Sequence, residues 1–168
     1  GIRANMDSLR VSDGYFLAKK NQLNLDDMLF IYGARINADL IQDKRATEIP
    51  IITGYRGNMP QQSFFSWPYY PLLFSDSDHD ISKGLDAIKC EFASSVDTIK
   101  NKIKKSILLH SSENSRVVPS PQRISLGILK NPPKEEYFDN PNIPIAVLLE
   151  GNFESVFKNR IRPKTDGF

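Results

Sequence analysis

Short apolar runs alternate with polar and proline-containing segments along this chain of 168 residues. The clearest helix is predicted to begin at Asn24, a favourable N-cap, and to end at Gly33 in a left-handed cap. One apolar face with helical spacing supports it, made of Leu25, Met28, Leu29 and Tyr32. A single helical turn is expected at residues 81–85 and a short helix at residues 124–129.

β-Branched and aromatic runs predict the strands. They lie at residues 15–18, 49–53, 63–66, 87–94, 106–110 and 143–149. Pro50 places the second run at a sheet edge or a bulge, and residues 54–62 after it read as a hairpin-like loop. The last run is continuous and apolar, as a strand covered on both faces would be. Strands interleaved with helices favour a layered α/β domain with a mixed, partly parallel sheet.

The segment SFFSWPYYPLL, residues 63–73, combines aromatic rings with Pro68 and Pro71. The prolines exclude a helix, so we predict that the strand at residues 63–66 runs into a stiff, extended loop. Core packing is the favoured interpretation of the rings, because large rings supply much of a domain's buried area. The alternative is a platform for a small ligand or glycan, a peptide or a partner protein. Its candidate binding residues are Trp67, Tyr69 and Tyr70.

Composition indicates one globular domain, predicted over residues 1–160 with a linker at residues 161–168. The net charge of +2 is too small to favour a nucleic-acid partner. Cys90 is the single cysteine, which excludes an internal disulfide framework. No apolar run approaches the length of a membrane span. The chain opens with Gly1 and without a signal-peptide pattern, so we expect a piece of a longer protein whose membrane anchors lie outside it.

The alternation of Asp76, Asp78 and Asp80 has the start of a calcium-loop pattern. That pattern requires Gly at its sixth position and Glu at its twelfth, where this chain has Ile81 and Ala87. We therefore expect a solvated loop and no metal site, and His79 is interpreted as a loop residue.

Two side chains were weighed as catalytic groups of a hydrolase or amidotransferase. Cys90 is predicted to lie in mid-strand, where a free cysteine usually packs as a small apolar group. His110 precedes Ser111 and Ser112, which are interpreted as turn or capping residues. Because no nucleophile elbow and no Walker A loop is present, the sequence predicts a non-enzymatic protein without a cofactor.

Two basic clusters complete the candidate features. Solvated surface is their simplest interpretation, and contact with an anionic membrane is the alternative if the domain is tethered close to one. The clusters are Lys100, Lys102, Lys104 and Lys105, and in the tail Lys158, Arg160, Arg162 and Lys164.

Six segments together resemble one family along nearly the whole chain. They are NMDSL (5–9), NLDDMLFIYGARINADLIQD (24–43), SWPYYPLL (66–73), EFASSVDTI (91–99), KKSILLHSSENSR (104–116) and IPIAVLLEGNFESVFKNR (143–160). This set resembles the gliding-motility-associated auxiliary or substrate-binding proteins of ABC transporters, the GldG-like family of the Bacteroidetes type.

The resemblance implies an extracytoplasmic domain of an inner-membrane protein, placed on the periplasmic side between membrane-spanning segments. It implies an ABC-2-type permease and a separate ATPase subunit as partners. The implied fold is Rossmann-like and amidotransferase-like, without amidotransferase chemistry. The family brings no catalytic residue, cofactor or ligand to this chain.

Overall fold

The computed structural model describes residues 2–7, Leu9 and residues 14–158, and its regular structure is mostly strand. The predicted linker at residues 161–168 lies outside the described residues. The elements are β1 (Ile2–Arg3), β2 (Tyr15–Lys20), α1 (Asp26–Tyr32), β3 (Ala34–Ile36), β4 (Asp39–Asp43), β5 (Ala46–Arg56), β6 (Met59–Leu73), β7 (Ile88–Lys89), β8 (Val96–Thr98), β9 (Lys104–His110), β10 (Ser115–Pro119), β11 (Gln122–Ser125) and β12 (Pro144–Glu150), with 3₁₀ helices at Leu126–Leu129 and Glu135–Tyr137.

The predicted layered, Rossmann-like α/β fold with a partly parallel sheet is wrong. Strand occupies 47% of the structure and helix 11%, and every strand pair among the described residues is antiparallel. The strands form five small sheets, in the orders β1-β2-β11, β10-β4, β12-β9, β3-β8 and β5-β6-β7. A parallel pair needs a crossover of about a dozen residues or more, usually a helix, whereas the two-residue turn between β5 and β6 joins neighbours directly.

The helix predicted between Asn24 and Gly33 is confirmed as α1, but its packing differs from the expectation. Gly33 has φ 98° and donates its N–H to the Leu29 carbonyl at 2.9 Å, as a left-handed cap does. Leu25 occupies the N-cap position in place of Asn24, whose φ is 54°. No residue of α1 is buried, because the helix lies on the surface and only part of its apolar face contacts the body.

The strand predictions were right in position and often wrong in extent. The strands at residues 15–18, 106–110 and 143–149 correspond to β2, β9 and β12, although β12 is half-buried throughout instead of being covered on both faces. The strand predicted at residues 87–94 is wrong beyond the two residues of β7. Phe92 has φ 54°, a left-handed conformation that interrupts an extended chain.

β5 and β6 form one long hairpin. Pro50 does lie on an edge strand, since among the described residues β5 pairs with β6 alone, and a register shift between Ile52 and Gly54 adds a bulge. The hairpin predicted within residues 54–62 is confirmed, but the extent of its loop is wrong: the turn is Gly57–Asn58, with paired residues on both sides of it. The stiff loop predicted after residue 66 is also wrong, because β6 continues through both prolines to Leu73.

The core forms where the inner half of β6 meets β4. β4 is buried at all five positions. The larger cluster includes Leu40, Ile49, Trp67, Tyr69 and Ile124, with Phe92 packed against it. A smaller cluster contains Ile41, Ala93 and Ile143. The outer half of the β5–β6 hairpin therefore extends beyond the part of the body that holds the core.

Candidate functional site

The three aromatic residues considered for binding lie in the core. Trp67 is 0% exposed, and its ring centroid lies 5.5 Å from that of Tyr69. Tyr70 packs edge-on against Phe92 at 5.4 Å. Burial also raises the pKa of the Tyr69 hydroxyl. A ligand could reach the Trp67 and Tyr69 rings only if the core opened, whereas Tyr70 also borders an apolar cleft.

Cys90 is half-buried and follows β7 directly, so its predicted position within a strand is wrong. Its backbone N–H donates to the Pro71 carbonyl at 3.0 Å, and its side chain packs against the smaller core cluster. Burial raises the pKa of the Cys90 thiol, which lowers the thiolate fraction that a nucleophile needs. The environment of Cys90 is that of a packing residue.

His110 lines a polar cleft of about 250 Å³, together with Arg45, Glu113 and Asn142. The imidazole Nδ1 lies 2.7 Å from the Ser111 carbonyl oxygen, and Nε2 lies 3.0 Å from the Asp76 carboxylate. Both ring nitrogens therefore face oxygen atoms, and the ring links the end of β9 to the loop that follows β6.

The serines next to His110 are used in structural hydrogen bonds. The Ser112 hydroxyl and N–H donate to the two carboxylate oxygens of the buried Asp43, at 2.5 and 2.7 Å. The Ser111 hydroxyl accepts the Ile143 N–H at 2.9 Å and lies 2.6 Å from the Ser115 hydroxyl. These bonds join the ends of β4, β9 and β10, so neither hydroxyl is presented to a substrate.

The aspartate-rich loop is a solvated turn. The Asp78 side chain is fully exposed, and the His79 imidazole Nδ1 accepts the Ile81 N–H at 3.2 Å. Within the part of the chain that the structure describes, no group of three or more His, Cys, Asp or Glu side chains is placed to hold a metal ion.

The most distinctive surface is the outer half of the β5–β6 hairpin, residues 50–65, which we call the apolar arm. Gly57 has φ 63°, which suits the first position of its two-residue turn, and a Cβ there would meet no atom within 4 Å. Several large apolar side chains of the arm face solvent. Tyr55 is 69% exposed, Met59 76% and Phe64 63%, and Ile52 and Phe65 are exposed as well.

The strand register assigns these side chains to faces of the arm, because directly paired residues lie on the same face. Alternate residues of β6 and their partners on β5 make the outer face, which consists of Pro50, Ile52, Tyr55, Pro60, Gln62 and Phe64. This face carries no charged residue. At the root of the arm this face continues into a mostly apolar cleft of about 620 Å³. Pro50, Ile52 and Gln62 line the cleft together with Tyr70 and Leu126, and the charged Glu48 and Lys89 also border it.

One sequence signal could have identified the arm. Between Ile49 and Phe74 the chain contains one charged residue, Arg56. Charge depletion over such a length is typical of a segment that is buried or in contact with a partner. The pattern of the middle of this segment predicts a hairpin-like loop, whereas in the structure it is an exposed hairpin whose one charged residue is Arg56.

No helix in the described ranges is long and apolar enough to cross a membrane. Comparison with known proteins gave one match. The sequence profile of a family described as "ABC-type uncharacterized transport system" matches residues 1–167. No curated protein and no solved structure matches the chain.

Proposed function

The chain belongs to the family described as an ABC-type uncharacterized transport system, and from this we propose that it is a non-enzymatic auxiliary domain of such a transporter. Family membership over residues 1–167 is the observation that carries the proposal, and it makes the chain a transport-associated component. The finer assignment is to the gliding-motility-associated type, and it is supported by the resemblance of the six segments described above.

The non-enzymatic role is supported by the state of the reactive side chains. Cys90 is half-buried with a raised pKa, and the hydroxyls of Ser111 and Ser112 are engaged in bonds that hold strand ends together. General-base activation of a nucleophile requires a base within hydrogen-bond reach of a free hydroxyl or thiol. His110 instead has Ser111 carbonyl and Asp76 carboxylate oxygens at its two nitrogens.

The proposed partners are an ABC-2-type permease and a separate ATPase subunit, with this domain on the periplasmic side of the inner membrane. The test is affinity purification of the tagged full-length protein from detergent-solubilised native membranes. Recovery of both subunits, and their absence when an unrelated tagged inner-membrane protein is purified in the same way, is the expected result. Recovery of neither subunit would count against the proposal.

The proposed side of the membrane has a separate test. Asp78 is fully exposed, so Asp78→Cys in a Cys90→Ser background adds one accessible thiol within these 168 residues. The Cys90→Ser protein without Asp78→Cys is the control for labelling elsewhere. A membrane-impermeant maleimide should label it in cells in which only the outer membrane is permeabilised. Labelling that appears only after lysis of the inner membrane would place the domain in the cytoplasm.

Binding of a small ligand or glycan by Trp67, Tyr69 and Tyr70 has less support as the function. Glycan platforms present ring faces to solvent, whereas Trp67 and Tyr69 pack against each other inside the larger core cluster. The auxiliary role requires no such platform.

A further inference from the structure

The apolar arm ends in a group of side chains that water solvates poorly. Ile52, Tyr55 and Phe64 are each more than half exposed and share the outer face of the hairpin. Met59 is 76% exposed on the opposite face, where it pairs with Arg56. Contiguous exposed apolar surface on a domain usually marks a contact site. The question is which kind of partner covers it.

The charge distribution favours a lipid surface. The outer face carries no charge, and the arm's one charged side chain, Arg56, pairs with Met59 next to the turn. Phenylalanine, isoleucine and methionine partition into the acyl boundary, and tyrosine is enriched at the headgroup level. A guanidinium on a long aliphatic stem can remain beside lipid phosphates while its stem lies against apolar groups.

The backbone of the arm argues against strand addition by a second copy. Both outer edges of the hairpin carry a proline, Pro50 on β5 and Pro60 on β6, and each lacks the N–H that a new strand would use. The bulge between Ile52 and Gly54 interrupts the β5 edge further. Pairing of a second copy with the backbone edges of the hairpin is therefore hindered, whereas the side chains of the outer face are accessible to a partner.

We propose that the apolar arm inserts shallowly into the lipid bilayer surface beside the transporter, with its outer face toward the acyl chains. The inference rests on the membrane location given under the proposed function. Insertion is limited to the interface, because the free backbone N–H and C=O groups of the two hairpin edges need water or headgroups as partners. The arm therefore holds the domain against the bilayer without crossing it.

Flotation of the 168-residue chain with vesicles tests this directly. We expect binding to phosphatidylcholine vesicles and stronger binding to vesicles that also contain anionic phosphatidylglycerol, since Arg56 adds an attraction to phosphate. Phe64→Ser should lower the vesicle partition coefficient about tenfold, because a large apolar group no longer leaves water. Arg56→Gln should keep the binding to phosphatidylcholine and lose most of the preference for anionic lipid.

Phe30→Ser is the matched control. Phe30 lies on α1, outside the arm, and its side chain is 57% exposed against 63% for Phe64. Both variants remove one exposed phenyl ring, so both should fold, which circular dichroism verifies. Only Phe64→Ser should lose binding.

A fluorescence reporter measures insertion separately from binding. Trp67 is the single tryptophan and is 0% exposed, so its emission should not respond to vesicles. Tyr55→Trp adds a reporter on the outer face of the arm. Its emission should shift to the blue on addition of vesicles and should be quenched by lipids brominated on their acyl chains. Phe30→Trp should show neither change.

Three results would overturn the proposal. The first is no binding of the parent chain to either vesicle. The second is binding that salt abolishes and Phe64→Ser leaves unchanged, which would assign it to the lysine cluster at residues 100–105. The third is a dimer, measured by light scattering, that Phe64→Ser dissociates, together with no binding to vesicles. That result would show that the arm contacts a second copy of the chain. Recovery of the transporter subunits from membranes is measured independently, so failure of either proposal is distinguishable from failure of the other.

Discussion

Trp67 and Phe64 lie three residues apart on β6, in one aromatic segment, yet the first is wholly buried and the second largely exposed. Alternation along the strand puts the two rings on opposite faces, but it does not show which face is covered. Trp67 belongs to the inner half of the strand, which packs on β4, whereas Phe64 pairs with Pro50 on the arm. The contribution of each ring to stability therefore depends on whether other elements pack against that part of the strand.

Alanine substitutions should separate the two roles. Trp67→Ala is expected to lower the free energy of unfolding by about 3–5 kcal/mol, because it removes a large ring from a packed core. Phe64→Ala should change it by no more than about 0.5 kcal/mol. Urea denaturation followed by circular dichroism measures both values. Equal losses would contradict the assignment of Trp67 to the core and of Phe64 to the surface.

At the level of elements, α1 and the β3–β8 pair are held by capping contacts and cross-strand pairs. α1 buries no residue, and its C-terminal end is fixed by Gly33 and by the Asn101 side-chain amide, which donates to the Ile31 carbonyl at 3.0 Å. β3 and β8 pair over three residues, with the Arg35 guanidinium 2.5 Å from the Asp97 carboxylate across the pair. Each of these features predicts a measurable effect.

Gly33→Ala should destabilise the protein. The left-handed backbone at Gly33 costs an L-residue about 1–2 kcal/mol, and a Cβ there would lie 2.6 Å from the Lys105 Cε. Gly54→Ala is the control, since the nearest atom to its Cβ is a side-chain oxygen 3.9 Å away and its φ is not positive. It should be neutral or stabilise by about 0.4–1 kcal/mol. Thermal unfolding of both variants checks the contrast, and a stabilised Gly33→Ala would refute it.

The Arg35–Asp97 pair predicts a dependence of stability on pH. The Arg35 hydrogen bond holds the pKa of Asp97 below its usual value, so the pair stabilises the fold above the unfolded pKa of about 4. This contribution is lost as the pH falls through the lower folded pKa. Because both side chains are largely exposed, it should amount to about 1 kcal/mol or less.

Denaturation of Arg35→Gln across acid and neutral pH measures this contribution. The difference from the parent protein should be largest near neutrality and should shrink below about pH 4. In an Asp97→Asn background the same substitution should give no pH-dependent difference. A difference that grows on acidification would show that another group is responsible.

At the scale of the whole molecule, a body made of small antiparallel sheets carries one long hairpin that extends past its core. The bridge between Phe74 and His110 links the sheet of β6 to the sheet of β9. The Phe92 N–H donates to the Tyr69 carbonyl at 2.9 Å and holds the segment after β7 against β6. This arrangement gives the body a shared core, and it leaves the outer hairpin stabilised mainly by its own pairing.

Native-state hydrogen exchange should show this division. Amides of β4 and β10 are expected to be the most protected, because β4 is buried along its length. Amides of residues 52–62 should exchange faster, since local opening of the arm exposes little core surface. Mass spectrometry of peptides from the two regions provides the comparison. Equal protection of the arm and of β4 and β10 would indicate that the arm packs on the body more extensively than the structure shows.

The sequence predicted the features that depend on a few neighbouring residues. It placed α1 and its Gly33 cap, the edge position of Pro50 and the centres of several strands. It also indicated an ABC-transport-associated family, and the profile match over residues 1–167 confirms the family at that level. Each of these depends on local backbone preference or on residue order, which need no partner distant in sequence.

Only the tertiary structure decided the topology and the surface. Antiparallel pairing, the burial of Trp67 and the exposure of Phe64 depend on contacts between segments far apart in the chain. The same apolar pattern is compatible with a strand in a core and with a strand on an exposed arm. The pattern depends on the strand's own side chains, whereas burial depends on the other segments that pack against it. The candidate site, the apolar arm, therefore lies in a segment whose sequence predicts a hairpin-like loop and a core strand. The fold shows that residues 50–65 of this segment extend beyond the core.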